Sequence, residues 1–252
     1  MKTTPRTVLV TGAGGGMCRG INARLAQAGH VLVCVDLDLA ASEAAAARIV
    51  DAGGHAVALA ADVADETAVE ALRDEVTSRV GPVHALVNAA GILDRLSLTD
   101  STAATFRRAL DVNLVGPFNL IRAFSPAMIE AGWGRIVNIA SIAGTTGYPY
   151  PSYAASKAGL ANLTRSLLED LWGTGVTVNS VCPGVVDTPM VIDEVREAVR
   201  RRVPTRQIVD PEEIGALIAF LLTEEARNIN GADLLIDGGA TKLFSLFANH
   251  DG

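Results

Sequence analysis

Residues 7–36 read Thr7-Val-Leu-Val-Thr-Gly12-Ala-Gly-Gly-Gly16-Met-Cys-Arg-Gly-Ile21-Asn-Ala-Arg-Leu-Ala-Gln27-Ala-Gly29-His-Val31-Leu-Val-Cys-Val-Asp36. Thr7 to Val10 is a short run rich in β-branched residues, which favours a strand. Thr11 to Gly16 is a glycine-rich turn. Ile21 to Gln27 has helical periodicity and is closed by Gly29, and Val31 to Val35 is a second apolar strand that ends at Asp36. Strand, glycine-rich turn, helix, strand and acid, in that order, form the first half of a dinucleotide-binding fold. A turn without side chains lets the backbone approach a pyrophosphate, and the next helix N-terminus offers N–H donors and the positive end of its dipole. Asp36 stands where an acid accepts the hydroxyls of an adenosine ribose. A carboxylate there repels a 2′-phosphate, so NAD is expected rather than NADP. The plainer reading is a flexible glycine turn, because Met17 breaks the strict Gly-x-Gly-x-x-Gly spacing.

The rest of the chain repeats the alternation. An Ala-rich helix over Ala40 to Asp51 leads through Gly53-Gly54 to a strand, His55 to Ala60, closed by Asp62-Val63. Asp62 either meets an adenine edge or caps the next helix, Glu66 to Arg79. Gly81-Pro82 breaks that helix, and the strand Val83 to Val87 runs into Asn88-Ala89-Ala90-Gly91, small residues that permit close approach of a ligand. A helix over Ala103 to Val112 carries Asn113, an unfavourable residue inside a helix, and the pattern continues from Leu114 to Ala131. Asn113 is then either a chance polar residue on a helix surface or a functional one. The strand Ile136 to Ile139 ends at Ala140-Ser141, and a turn-rich link holds Tyr148-Pro149-Tyr150-Pro151. A helix then runs to Trp172, the strand Val176 to Val181 leads to Pro183-Gly184, Pro211 opens a helix to Leu222, and a last strand covers Ala232 to Ile236. About seven strand–helix alternations without a linker or repeat predict an α/β protein: a single-domain Rossmann-type doubly wound parallel sheet over residues 1–252, with helices on both faces. The polar stretch Val191 to Arg202 interrupts the alternation, and the segment at about 190–206 reads as a mobile substrate lid. Its Arg200-Arg201-Arg202 run is expected in solvent.

Hydrophobic residues make up 49% and charged residues 19% of 252, a globular composition with enough chain for a large core. A net charge of −7 argues against nucleic-acid binding. No apolar run reaches the length of a membrane span, and no signal peptide is seen, so a cytoplasmic protein is expected. Cys18, Cys34 and Cys182 are too few and too scattered for a disulfide framework. The four histidines, His30, His55, His84 and His250, show no metal-ligand spacing, so no metal is expected.

Tyr153-Ala-Ala-Ser-Lys157 lies at the start of the helix after the turn-rich link. Residues four apart share a helix face. A nearby cation favours phenolate, which makes Tyr153 a candidate general acid/base near neutral pH. Taken alone the pair is common.

Taken together, Thr11-Gly12-x-x-x-Gly16, Asp36, Asp62, Asn88-Ala89-Ala90-Gly91, Asn113, Ser141, Tyr153-x-x-x-Lys157 and Pro183-Gly184 resemble the short-chain dehydrogenase/reductase family over about residues 5–240. The resemblance implies that Tyr153 is the catalytic acid/base, that Ser141 polarises the substrate oxygen, and that Lys157 binds the nicotinamide ribose and lowers the Tyr153 pKa. It implies that Asn113 holds a water linking Lys157 to solvent. Gly12, Gly16 and the main chain near Met17 would line the pyrophosphate. Asp62 and Val63 would meet the adenine, Asn88 to Gly91 would support the adenosine half, and Val186 and Thr188 would meet the carboxamide. Two departures stand out. Cys18 replaces a family glycine, so its side chain is expected to crowd the helix against the turn, relieved in part by Gly20, with weaker cofactor binding, a shifted turn or an oxidant-sensitive thiol as consequences. Ser141 precedes Tyr153 by 12 residues where 13 is frequent, which shortens the loop between them.

The expected activity is NAD-dependent interconversion of a secondary alcohol and a ketone. The alternatives are a 3-oxoacyl-thioester reductase of lipid synthesis and, from another class, an NAD-binding regulator or scaffold without turnover. Leu93 to Leu96, Ile142-Ala143, Tyr148 to Tyr150 and the lid from Met190 are the expected pocket walls. They point to a hydrophobic, cyclic or aromatic alcohol, with an anionic substrate left open by the lid arginines. The family resemblance also implies a homotetramer built on helices around residues 103–131 and 153–172, with a second interface near the C-terminal strand, where the tail Leu243-Phe244-Ser245-Leu246-Phe247 supplies apolar residues.

Overall fold

A computed structural model describes residues 4–189 and 191–242. Met190 and the apolar tail Leu243 to Phe247 lie outside them. In chain order the elements are β1 (Thr7–Thr11), α1 (Gly16–Gln27), β2 (Val31–Asp36), α2 (Leu39–Asp51), β3 (His55–Ala60), α3 (Glu66–Arg79), β4 (Ala85–Asn88), α4 (Ala103–Leu110), a π-helical turn (Asp111–Val115), α5 (Gly116–Glu130), β5 (Gly134–Ile139), a 3₁₀ turn (Ile142–Gly144), α6 (Pro151–Ser166), β6 (Val176–Pro183), α7 (Asp193–Arg202), α8 (Pro211–Leu221) and β7 (Asp233–Ile236). The seven strands form one parallel sheet in the order β3-β2-β1-β4-β5-β6-β7.

Both faces of the sheet are covered, so its central strands are buried from end to end. Val8 and Val10 of β1 pack with Ile21 and Leu25 of α1 and with Ile214, Ile218 and Leu221 of α8. Leu9 faces the other way, among Val69, Leu72 and Val76 of α3 and Leu120, Phe124 and Met128 of α5. The chain leaves β1 in opposite directions toward β2 and β4. This reversal opens a crevice above the carboxyl ends of the strands, where such sheets bind ligands.

The elements differ from the sequence expectation where packing overrides local propensity. Helix α1 begins at Gly16, a turn earlier than the apolar periodicity. Gly20 serves this helix by letting α8 cross it closely, rather than by making room for Cys18: a Cβ on Gly20 would lie 2.3 Å from the Pro211 carbonyl carbon. Asp62 does not cap α3. Asp65 does, accepting the N–H groups of Thr67 and Ala68, while Asp62 closes its own turn onto Ala64 N–H. The continuous helix expected across Asn113 is divided by the π-helical turn. Helix α6 stops at Ser166, and the residues to Trp172 form turns.

Gly20→Ala is expected to destabilise the protein by about 1–3 kcal/mol through overpacking, lowering Tm by roughly 2–12 °C for a chain of this size. Gly147→Ala, where a Cβ meets nothing within 4 Å, is the control in thermal denaturation. Equal Tm values for the two variants would contradict the close crossing of α1 and α8.

Candidate active site

The crevice holds a cleft of about 760 Å³ above β1, β2, β3 and β4. Its floor is the glycine-rich turn. Gly12 has φ 65°, and a Cβ there would fall 2.8 Å from the Ala90 Cα, so the turn lies directly against Ala89-Ala90. A Cβ on Gly16 would press on Thr188 and Pro189 at 3.2 Å. Helix α1 starts at this point, with its N-terminal N–H groups available. Met17, Val63, Gly91 and Thr188 line the same cleft. Asp36 closes one side and is itself partnered, accepting the Gly14 N–H at 3.0 Å and the Asp38 N–H at 3.4 Å. Asp62 also lines the cleft and pairs with Arg108 at 3.7 Å. Gly12, Gly14, Gly15 and Gly16 line the cleft with bare backbone beside the α1 N-terminus, which fits the pyrophosphate of a dinucleotide.

Beside it lies a smaller cavity of about 180 Å³. Met17, Ala89, Gly91 and Ile92 line both, so the two are continuous. Ser141, Tyr153, Lys157, Pro183, Gly184 and Val186 form the inner wall. Pro151 and Ser152 open α6, which places Tyr153 in its first turn and Lys157 in its second. Ser141 accepts the Ala143 N–H at 3.1 Å and lines the same cavity as the Tyr153 side chain. The one-residue-shorter loop therefore still brings Ser141 to the tyrosine. Lys157 is 4% exposed, and its ammonium donates to the Ile139 carbonyl at 2.7 Å, with Nζ 5.7 Å from the Tyr153 ring centroid.

These environments correct one expectation. Burial raises the Tyr153 pKa, and the Ser141 side chain opposes that rise. The lysine is held against a strand carbonyl, and burial lowers its own pKa to about 8. In the protein alone, burial outweighs what favours the phenolate, so the Tyr153 pKa is raised rather than lowered.

Asn113 is buried in the π-helical turn, an irregularity that often marks functional sites. Its Oδ1 accepts the Ile92 N–H at 2.8 Å, and its Nδ2 donates to the Ile92 carbonyl at 2.9 Å and to Ser156 Oγ at 2.9 Å. It is not a surface residue, and its amide is a clamp between three segments of the site. Asn88 departs from its expected place. Its side chain turns into the sheet and donates to Asn138 Oδ1 at 2.7 Å, while Ala89, Ala90 and Gly91 reach the cleft. Asn138, Thr164 and Ser180 continue this buried chain and fasten α6 to β5 and β6.

A family model described as Enoyl-(Acyl carrier protein) reductase matches residues 12–241. The chain is 36% identical to acetoacetyl-CoA reductase of Allochromatium vinosum, covering 93% of this chain and 98% of that one. It is 34% identical to cyclohexanol dehydrogenase of an Acinetobacter species, covering 95% and 96% respectively. The chain belongs to the short-chain dehydrogenase/reductase family. Its fold matches the crystal structure of gox2181 with a TM-score of 0.90 at 28% identity, over 95% of this chain and 97% of that one. Short-chain dehydrogenase/reductases use a nicotinamide dinucleotide, NAD or NADP.

In this short-chain dehydrogenase/reductase several cleft residues carried no clear sequence signal. Thr11 Oγ accepts the N–H groups of Ala89 and Ala90, each at 3.2 Å, and so fixes the β4 loop; the sequence marked Thr11 as the head of the glycine-turn motif but gave no sign of this role. Arg19 and Arg48 reach the cleft from α1 and α2. Cys18 neither crowds the turn nor offers a reactive thiol. It is 2% exposed in the core, with its sulfur over the Thr11 carbonyl at 3.9 Å, and burial pushes its pKa up to about 12. Ala143 is buried rather than on the pocket wall. In α7, Arg200, Arg201 and Arg202 are exposed, and Glu197 pairs with the first two. Among the described residues, no group of side chains could hold a metal ion, and no helix is long and apolar enough to cross a membrane.

The Lys157 pKa, lowered from 10.5 to about 8, sets a pH signature. Between these values the unfolded lysine keeps its proton and the folded one has lost it, so stability rises with pH across that window. In urea denaturation without cofactor, the wild type is expected to gain about 2–3 kcal/mol on Lys157→Met from pH 7 to pH 10.5. A constant difference between the two proteins would contradict the buried placement of the ammonium.

Proposed function

We propose that the protein is an NAD-dependent oxidoreductase that interconverts a secondary alcohol and a ketone, with Tyr153 as the acid/base. The observation that carries this reading is that Ser141, Tyr153 and Lys157 line one cavity, with Lys157 one helical turn behind Tyr153, at the inner end of a glycine-floored cleft. Tyr153 takes the proton of the substrate hydroxyl or returns it to the ketone oxygen. Ser141 holds that oxygen by a second hydrogen bond, which orients the carbinol carbon. Lys157 stands ready for the nicotinamide ribose. Gly12, Gly16 and the backbone at Met17 receive the pyrophosphate, and Val63 and Asp62 flank the adenine. Pro183, Gly184, Val186 and Thr188 meet the carboxamide end. When bound, the nicotinamide supplies or accepts the hydride.

Asp36 supports NAD over NADP, since its carboxylate would face a 2′-phosphate. Ile92, Leu93, Ile139 and Val186 leave a small apolar space beside Tyr153, which suits a ring alcohol. Residues 190–206 act as a lid. Leu98, Val115, Phe118 and Ile129 are exposed on and near α5 and support a homotetramer through that helix face. The protein is assigned to the cytoplasm. A second reading, 3-oxoacyl-thioester reduction, is favoured by the similarity to acetoacetyl-CoA reductase.

Reduction of NAD⁺ and NADP⁺ against a panel of secondary alcohols at alkaline pH tests the proposal. NAD⁺ is expected to be preferred, and Tyr153→Phe to lower kcat by about 10²–10⁴-fold while NADH binding is retained. Retained turnover in Tyr153→Phe would remove the tyrosine from the chemistry. Preference for NADPH and an oxoacyl thioester would favour the second reading. Asp36→Ala is expected to raise the use of NADP⁺ relative to NAD⁺, and an unchanged ratio would show that Arg19 and Arg48, not Asp36, govern the choice.

A further inference from the structure

The loop after β4 carries a charge that has no part in the acid/base chemistry. Ser152 is wholly buried, directly precedes Tyr153, and donates to Asp94 Oδ2 at 2.6 Å. This bond pins the loop to the first turn of α6, where a carboxylate also meets the favourable end of the helix dipole. The other Asp94 oxygen faces the Leu96 N–H at 3.5 Å. Between them, Arg95 is held at φ 53°, a left-handed conformation that side chains rarely adopt. The sharp turn is therefore maintained by its neighbours.

Arg95 is exposed and has no ion pair or hydrogen bond among the described residues. Burial and the neighbouring Tyr150 raise the Tyr148 pKa, and the nearby Arg95 charge opposes that rise. The Tyr148 ring in turn stands 6.0 Å from the Tyr153 ring and 5.5 Å from the Tyr150 ring. Two residues before Arg95, Leu93 lines the cavity that contains Tyr153. The protein thus carries a guanidinium with no ion pair among the described residues on the loop that lines the cavity through Leu93 and is fastened to the helix of the acid/base, in a chain of net charge −7.

We propose that Arg95 is a substrate-recognition residue that receives a carboxylate borne by the substrate away from its carbinol carbon. The substrate class is then a hydroxy acid or oxo acid whose apolar ring or chain lies against Ile92, Leu93 and Tyr148. A guanidinium matches a carboxylate through two parallel N–H donors. This assignment rests on the secondary-alcohol reading for the site, but its binding component can be measured without turnover.

Calorimetric titration of cyclohexanecarboxylate, which has no hydroxyl to oxidise, into the protein saturated with NADH tests the contact itself. Arg95→Gln is expected to weaken binding about tenfold or more, and Arg95→Lys to restore part of the loss. Equal affinity in the wild type and Arg95→Gln would overturn the proposal. In steady-state assays, the ratio of kcat/KM for 4-hydroxycyclohexanecarboxylate to that for cyclohexanol is expected to fall about tenfold in Arg95→Gln, chiefly through KM. An unchanged ratio would also overturn it. If no alcohol turns over but the carboxylate binds through Arg95, the oxidoreductase reading fails and the carboxylate site stands.

Discussion

The Asn113 side chain is bonded to both main-chain groups of Ile92 and to Ser156 of α6, at 2.8–2.9 Å in each case. A helix that followed its own propensity would carry this amide on its surface. Here the backbone widens into a π-helical turn and points it inward. The amide therefore ties the α4–α5 junction to the loop after β4 and to the helix of Tyr153, which are three walls of the site. Removing the amide would leave a buried N–H, a buried carbonyl and a hydroxyl short of a partner, each at a cost of about 1–3 kcal/mol. The geometry of Tyr153 relative to the substrate wall therefore depends on a residue that bonds to Ile92 in that wall and to Ser156, one turn along α6 from Tyr153.

The second constraint is burial. Tyr153 and Lys157 are both taken out of water, and burial disfavours the charged form of each. The phenol rises from its usual value near 10 and the ammonium falls from 10.5 to about 8, so the two pKa values move apart and each group favours its neutral form. In the protein alone, a phenolate–ammonium ion pair is therefore disfavoured. Ser141 acts against the rise at Tyr153. The buried chain from Asn88 through Asn138 and Thr164 to Ser180 keeps α6 in register with the strands while this happens. Polar groups in the core are here spent on orientation, and all four lie in the layer that carries α6.

Close backbone approach organises the other half of the site. Gly12 lies against Ala90, Gly16 against Thr188 and Pro189, and Gly20 against Pro211. These contacts bring the turn, the loop after β6 and α8 to distances that a Cβ would prevent. Cys18 falls between the last two glycines but points into the core beside Ala13 and Ile21, which is why a larger side chain is tolerated there.

By itself the sequence determined the alternation of strands and helices and the glycine-rich turn. It also determined the acid at the end of β2 and the spacing of Tyr153 and Lys157. These are local patterns, set by side-chain period and by turn chemistry, and they survive without knowledge of the neighbours. The tertiary structure decided what depends on contacts between distant segments. It placed Asn113 in a clamp, turned Asn88 away from the cleft, gave the α3 cap to Asp65 in place of Asp62, buried the Cys18 thiol and set Arg95 at the rim. It also decided the sign of the Tyr153 shift, because the cost of burying a phenol depends on everything that excludes water from it.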